Sequence, residues 1–148
     1  ITLERPEKGS FTITRLTDYE LRLYAAPDYL AQHDPIRSKE DLKQHRFVTY
    51  VDDLLFTQEL NFLTELVPSS HGNWRSTSVL AQQEAVAHGA GIAILPTFAA
   101  KNDQRLVPVL QPEIAFTRTF WMLMPTELKG LSRMRITWEF LRDINTNN

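Results

Sequence analysis

Three consecutive hydroxyl residues, Ser76, Thr77 and Ser78, stand directly in front of the run VLAQQEAVA. The first N–H groups of a helix have no partner inside it, and Ser or Thr side chains accept hydrogen bonds from them. The same free donors, at the positive end of the helix dipole, can hold an anion. The triplet therefore predicts a helix start that caps itself and offers a place for a polar or anionic ligand. Capping alone accounts for the spacing, so the ligand reading needs a further indication.

The elements that position this triplet follow from the surrounding pattern. Val79, Leu80, Val86 and Ala87 recur at helical spacing, with Gln82, Gln83 and Glu84 between them, which predicts a helix with one face on a core. Gly89 and Gly91 end it. Ile92, Ala93, Ile94 and Leu95 form an apolar run stopped by Pro96, as in a strand covered on both faces of a parallel sheet. Ligands of such α/β sheets bind beyond the carboxyl ends of strands, beside helix N-termini.

No other chemistry is legible. GxSxG, Walker, GxGxxG and HExxH motifs are absent, and Gly89-Ala90-Gly91 lacks a third glycine. His33, His45, His71 and His88 are too dispersed for a local metal pair and read as surface or capping residues. Asp52 and Asp53 read as helix caps, and Trp74, Trp121 and Trp138 as core residues. Without cysteine there is no disulfide framework, thiolate metal site or catalytic thiol, which fits a reducing, cytoplasmic setting. No catalytic residue, metal ligand or cofactor is expected.

The remaining pattern alternates strands and helices, an α/β class. Ile1 to Leu3 resemble the end of a buried strand, so that the chain is expected to start within a larger fold. Glu4 to Ser10 is a polar loop, Phe11 to Leu16 an extended segment and Glu20 to Tyr24 a strand running into a short helix at Ala26-Pro27-Asp28. Ser38 with Asp41 suggests a capping box for a helix to Gln44, and Arg46 to Val51 a strand. Leu55, Phe62, Leu63 and Leu66 share a helical face, and Pro68 to Gly72 is a loop. Leu106 to Leu110 and Thr119 to Met124 are short strands, and Ser132 caps a last helix whose Met134, Trp138, Leu141 and Ile144 share a face.

With 43% hydrophobic residues the 148-residue chain can bury a core, and its net charge of −2 without a dense Lys/Arg stripe gives no general reason to bind nucleic acid. No apolar segment reaches the length of a membrane span, and the amino end lacks the pattern of a signal peptide.

The order RLTDYELRLYAAPDYL, SKEDLKQHRFVTYVDD, STSVLAQQEAVAHGAGIAILP, FWMLMPTELKGLSRMRITWEFLRDI resembles the effector-binding domain of LysR-type transcriptional regulators. The resemblance covers essentially the whole chain. It implies a periplasmic-binding-protein-like (type II) two-lobed α/β fold with the first lobe incomplete: residues 1–18 end the first lobe, 19–124 form the second, and 125–148 return to the first. It implies a small-molecule effector, a carboxylate or other polar metabolite, held between the lobes. Thr2, the loop from Val51 to Phe56, and Ser76, Thr77 and Ser78 fall at its effector-contacting positions. Homo-oligomers are implied, with faces such as that of Met134, Trp138 and Leu141 needing cover. DNA binding is expected only through a helix-turn-helix that this chain lacks, and no membrane partner is expected. A transport solute-binding protein of the same fold is the alternative; an enzyme on a bilobal scaffold has no catalytic constellation behind it.

Overall fold

The computed structural model describes residues 1–54, 61–67 and 73–146. The chain divides into two compact units, one comprising Ile1–Tyr19 and Arg118–Asn148, the other Glu20–Thr117.

The strand β1 (Phe11–Ala25) is one 15-residue element where two separate segments were expected. Nothing between Leu16 and Glu20 breaks it. Thr17 and Tyr19 favour extended backbone, and the one turn-former, Asp18, is occupied by Arg15 and by the Thr119 hydroxyl, which donates at 2.7 Å. Strand β6 (Ala115–Pro125) pairs with β1. Both strands run in sequence from one unit into the other.

Within Glu20–Thr117, β1 buries Leu21, Leu23 and Ala25 on one face and Tyr24 on the other, the alternation of a pleated strand covered on both sides. It pairs antiparallel with β4 (Ala93–Pro96), Leu23 opposite Ile94, and with β5 (Val107–Val109), Leu23 opposite Val109. The expectation of a purely parallel sheet is therefore corrected. Continuous apolarity reports burial on both faces, and Ile92 to Pro96 are all buried, but it carries no information about strand direction. The parallel contact lies at Ile92, whose N–H donates to the Arg46 carbonyl at 2.9 Å and whose carbonyl accepts from Val48 N–H at 2.9 Å.

Strand β2 is only Val48–Thr49, pairing parallel with β3 (Trp74–Arg75), so the expected strand from Arg46 to Val51 shortens to its centre. Helix α1 (Pro27–Ala31) starts with its proline as expected and buries Tyr29. The Ser38–Gln44 helix is instead a 3-10 turn over Glu40–Gln44. One half of the capping box forms, Asp41 accepting from Ser38 N–H at 2.9 Å, but Ser38 spends its hydroxyl on the same carboxylate. A further 3-10 turn covers Asp52–Leu54, and α2 (Phe62–Leu66) begins after Asn61, so Asp52 and Asp53 do not cap it. Phe62, Leu63 and Leu66 are buried together as expected. Leu55 and the loop Pro68 to Gly72 lie outside the described residues.

Helix α3 (Val79–Ala87) and helix α4 (Thr97–Ala100) cover the sheet. The core of this unit joins Tyr24, Val48, Val86, Ala93, Leu95, Ala100 and Leu106, with Val79, Ala85, Ala87 and Ala90 packed on it. Val79, Gln82 and Val86, spaced three and four apart, form the inward row of α3. Leu80 lies about 100° around the helix from Val79 and is 67% exposed, so its assignment to the core face is corrected.

In the other unit, Thr2 exchanges backbone hydrogen bonds with Trp121, 2.8 Å each way, and Arg5 lies over the Trp121 ring. Ile1 is 67% exposed, and Thr2 makes an isolated bridge, so these residues are not the end of a buried strand. Helix α5 (Ser132–Thr146) half-buries Met134, Trp138 and Leu141. Its first turn is closed by the Leu131 carbonyl, which accepts from the N–H groups of Met134 and Arg135, with Ser132 already inside the helix rather than capping it. Ile136, Phe140 and Ile144 are exposed, so Ile144 does not share the half-buried face as expected.

Candidate functional site at the start of helix α3

The chain reaches α3 through a turn fixed at several points. Ser76 N–H donates to the Thr49 carbonyl at 2.9 Å, tying the turn to β2. The Ser76 hydroxyl accepts from Ser78 N–H at 3.1 Å, and the Ser78 hydroxyl accepts from Ala81 N–H at 3.4 Å as the helix cap. From inside the helix, the Gln82 side-chain amide donates to the Ser76 carbonyl at 2.8 Å. Gln82 is 1% exposed, so this bond is made in a dry environment, where an unsatisfied amide is costly.

Two of the three hydroxyls are thus engaged by the turn. Thr77 is exposed, and among the described residues its hydroxyl has no hydrogen bond. Helix geometry also leaves over the N–H groups of Val79 and Leu80 at the first two helical positions. A free hydroxyl and two free donors at the positive helix end make a small anion-accepting surface. Phe47, Val48, Thr49, Tyr50, Phe62, Leu63, Gln82 and Ile94 line an adjoining, mostly apolar depression. Burial pushes the Tyr50 phenol up, keeping it a neutral hydroxyl.

The structure brings Ser76, Thr77 and Ser78 together with the end of β2. Val51 follows that strand, and its carbonyl accepts from Leu54 N–H at 2.9 Å. Thr2 belongs to the other unit, and Phe56 lies outside the described residues. Sequence reasoning missed Gln82 as the pin of the turn, although its place on the Val79–Val86 row was the available signal. It also placed Trp74 in the core, whereas Trp74 is 39% exposed, because a two-residue strand buries neither face. His45 is a further correction, a buried residue rather than a surface one. His33 and His88 do act at helix ends, each ring Nδ1 lying 2.7–2.8 Å from the carbonyl four residues back. Among the described residues no three His, Cys, Asp or Glu side chains are grouped to hold a metal, and no helix is long and apolar enough to cross a membrane.

The family model described as the LysR substrate binding domain matches residues 1–145. The chain belongs to this family. The LysR substrate-binding domain is a module of transcriptional regulators and not an enzyme family. The chain is similar to the iron-regulated virulence regulatory protein IrgB of Vibrio cholerae, 26% identical over 132 residues, which is 86% of this chain and 43% of IrgB. It thus spans less than half the length of that relative. The regulatory domain of CrgA, a LysR-type transcriptional regulator from Neisseria meningitidis, has the same fold, with TM-score 0.81 at 21% identity over 97% of this chain and 72% of that one. The full-length virulence activator AphB of Vibrio cholerae superposes with TM-score 0.75 at 22% identity over 95% of this chain and 50% of that one. The architecture is therefore that of a LysR regulatory domain, type II periplasmic-binding-protein-like.

Proposed function

We propose that this LysR substrate-binding domain senses a small polar or anionic effector, a carboxylate or similar metabolite, at the start of α3, on behalf of a cytoplasmic, oligomeric regulator. The observation that carries this reading is the Ser76–Ser78 turn, whose shape is fixed by Thr49 and Gln82 while Thr77 and the first helical N–H groups stay unpaired. Val51, just after β2, is a further proposed contact. In this reading Glu20–Thr117 is the second lobe, and Ile1–Tyr19 with Arg118–Asn148 is part of the first.

Effector binding acts only through different affinity for two states of the domain. Those states set how the regulator's oligomer sits on DNA, which is contacted by a helix-turn-helix outside this chain. Membership of a regulator family favours this reading over a transport protein of the same fold. A thermal-shift screen of carboxylates, amino acids and aromatic acids tests it, since a ligand of the native state at 100 times its Kd adds about 2.7 kcal/mol of stability. A hit whose shift disappears in the Thr77→Ala, Ser78→Ala double variant supports the site. Hits that shift wild type and variant equally place the ligand elsewhere.

A further inference from the structure

Tyr29, His33 and His45 form a cluster that the effector site does not use. The Tyr29 hydroxyl accepts from Arg46 N–H at 3.0 Å and lies 3.2 Å from Nδ1 of His45. The Tyr29 carbonyl faces Nδ1 of His33 at 2.7 Å, and the His33 ring stacks on the Tyr29 ring at 3.9 Å between centroids. The Arg46 guanidinium lies 5.7 Å from the same ring's centre. Tyr29 is 2% exposed and His45 6%.

The Tyr29 oxygen accepts from Arg46, and its own hydrogen is then available to Nδ1 of His45 as the bare nitrogen of the neutral ring. The proton of His45 is then on the buried Nε2, and the Asp34 backbone faces the ring. A second proton would have to enter at Nδ1. It would point a new donor at a hydroxyl that is itself donating, and put a charge 6.1 Å, ring centre to ring centre, from His33.

We infer that the Tyr29–His45 pair is an acid-sensitive clamp on β2, closed while His45 is neutral and released when it is protonated. What it holds is the entry to the strand. Arg46 gives its N–H to Tyr29, and its carbonyl takes the Ile92 N–H, so Tyr29 anchors the residue that aligns Phe47 and Val48 on Ile92. Burial opposes protonation of His45 most and His33 adds to it, while the Asp34 backbone and the Asp34 and Asp41 carboxylates favour it; the balance lies on the neutral side. Acid therefore works against the folded arrangement. A histidine held below its ordinary value contributes stability at neutral pH that is lost as pH falls below about 6.5, its value in the unfolded chain. The inference rests on the fold and stands whether or not the effector reading does.

The test is hydrogen exchange of the whole chain followed by NMR, with protection factors at about pH 7.5 and about pH 5.5, a span that brackets the ordinary histidine value. Protection of the Arg46 and Val48 amides should fall about tenfold at the acid end relative to the β1–β4 amides. The His45→Asn variant, which keeps an acceptor where Nδ1 lies, should lose this difference, and His88→Asn, at an exposed helix end, should keep it. In His33→Asn the difference should shrink, because the opposing ring is gone; this variant decides the matter if His45→Asn does not fold. The His45 ring should titrate below the ordinary histidine value. An acid response of unchanged size in His45→Asn, or a His45 ring titrating at or above its ordinary value, overturns the clamp.

Discussion

The two ends of α3 are built on opposite terms. At its carboxyl end three carbonyls of the last turn are taken up: His88 N–H donates to the Glu84 carbonyl, Gly89 N–H to Val86 and Ala90 N–H to Ala85, at 2.9–3.1 Å. The chain then turns through Gly89 and Gly91, both at positive φ, and Gly91 comes so close to β2 that an added Cβ would stand 2.4 Å from the Arg46 carbonyl oxygen. At its amino end the turn is equally well anchored, yet Thr77 and the first helical N–H groups are left open. The same helix is closed where it packs and open at its start, where the effector is proposed to bind. Rigid anchoring with free donors is the combination that lets a site hold a ligand without first reorganising.

The largest way to break the contrast is at the closed end. Gly91→Ala has both a backbone conformation reserved for glycine and a collision with backbone that cannot swing aside, so it should cost about 3 kcal/mol or more, read as a lower denaturation midpoint. Gly89→Ala shares only the positive φ, with nothing within 4 Å of the new Cβ, and should cost about 1 kcal/mol. Equal losses would refute the close approach as the cause.

Gln82→Leu tests the anchor between the ends. Removing the buried amide leaves the Ser76 carbonyl without its partner and should cost about 1–3 kcal/mol, with effector affinity falling as the turn loosens. A variant as stable as wild type with unchanged affinity would show that the turn holds its shape without the pin.

At the open end, replacing Thr77 and Ser78 by Ala should cost about 1 kcal/mol of stability, the ordinary value of a cap. The effector found by thermal shift should lose about 1.5–3 kcal/mol of affinity, as expected for hydrogen bonds to a charged ligand. Isothermal titration well below the melting temperature separates the two. Lower stability with unchanged affinity would reduce the triplet to a cap.

The smallest effect is on the outer flank of α3, where Arg105 bridges Glu84 and Asp103 at 2.7–3.0 Å. Hydrogen bonds from Arg105 hold both carboxyl groups below their usual range. Their contribution is present above the unfolded carboxylate value and is lost as pH falls through the folded one, below about pH 4. Arg105→Gln should flatten the stability curve only in that strongly acid range and weakly, because solvent screens these groups. Flattening at about pH 6 instead would point to the histidine cluster, whose window begins near the ordinary histidine value.

Both ends of α3 were legible in the sequence, while strand direction and the buried polar residues were not, for physical reasons. Ser78 followed by an amphipathic run declares a helix start, because a cap is a local device, and Pro27 announces α1 in the same way. Ile92 to Leu95 declares a buried strand through apolarity alone. Direction is set by partners remote in the chain, Leu21 to Tyr24 on one hand and Arg46 to Val48 on the other, so the mixed sheet was not readable. Gln82 and His45 were misjudged because polar residue types were taken as outward-facing. Each is buried by a partner far along the chain or across a turn, Ser76 for one and Tyr29 for the other. The resemblance to a regulator domain supplied the architecture that no single segment implied.

The margins of the sheet in the Glu20–Thr117 unit bear on how the protein behaves at high concentration. In the strand order β4-β1-β5, β5 carries Pro108 at its centre, a residue with no N–H to offer a neighbouring chain, and the β2–β3 pair is only two residues long. Such margins are poor templates for edge-to-edge pairing, the route by which exposed strands recruit other copies into aggregates. Crowding should therefore drive contacts through side chains, with the Ile136–Phe140–Ile144 face of α5 the larger apolar opening, and leave the backbone of β3 and β5 out of any amyloid-like growth.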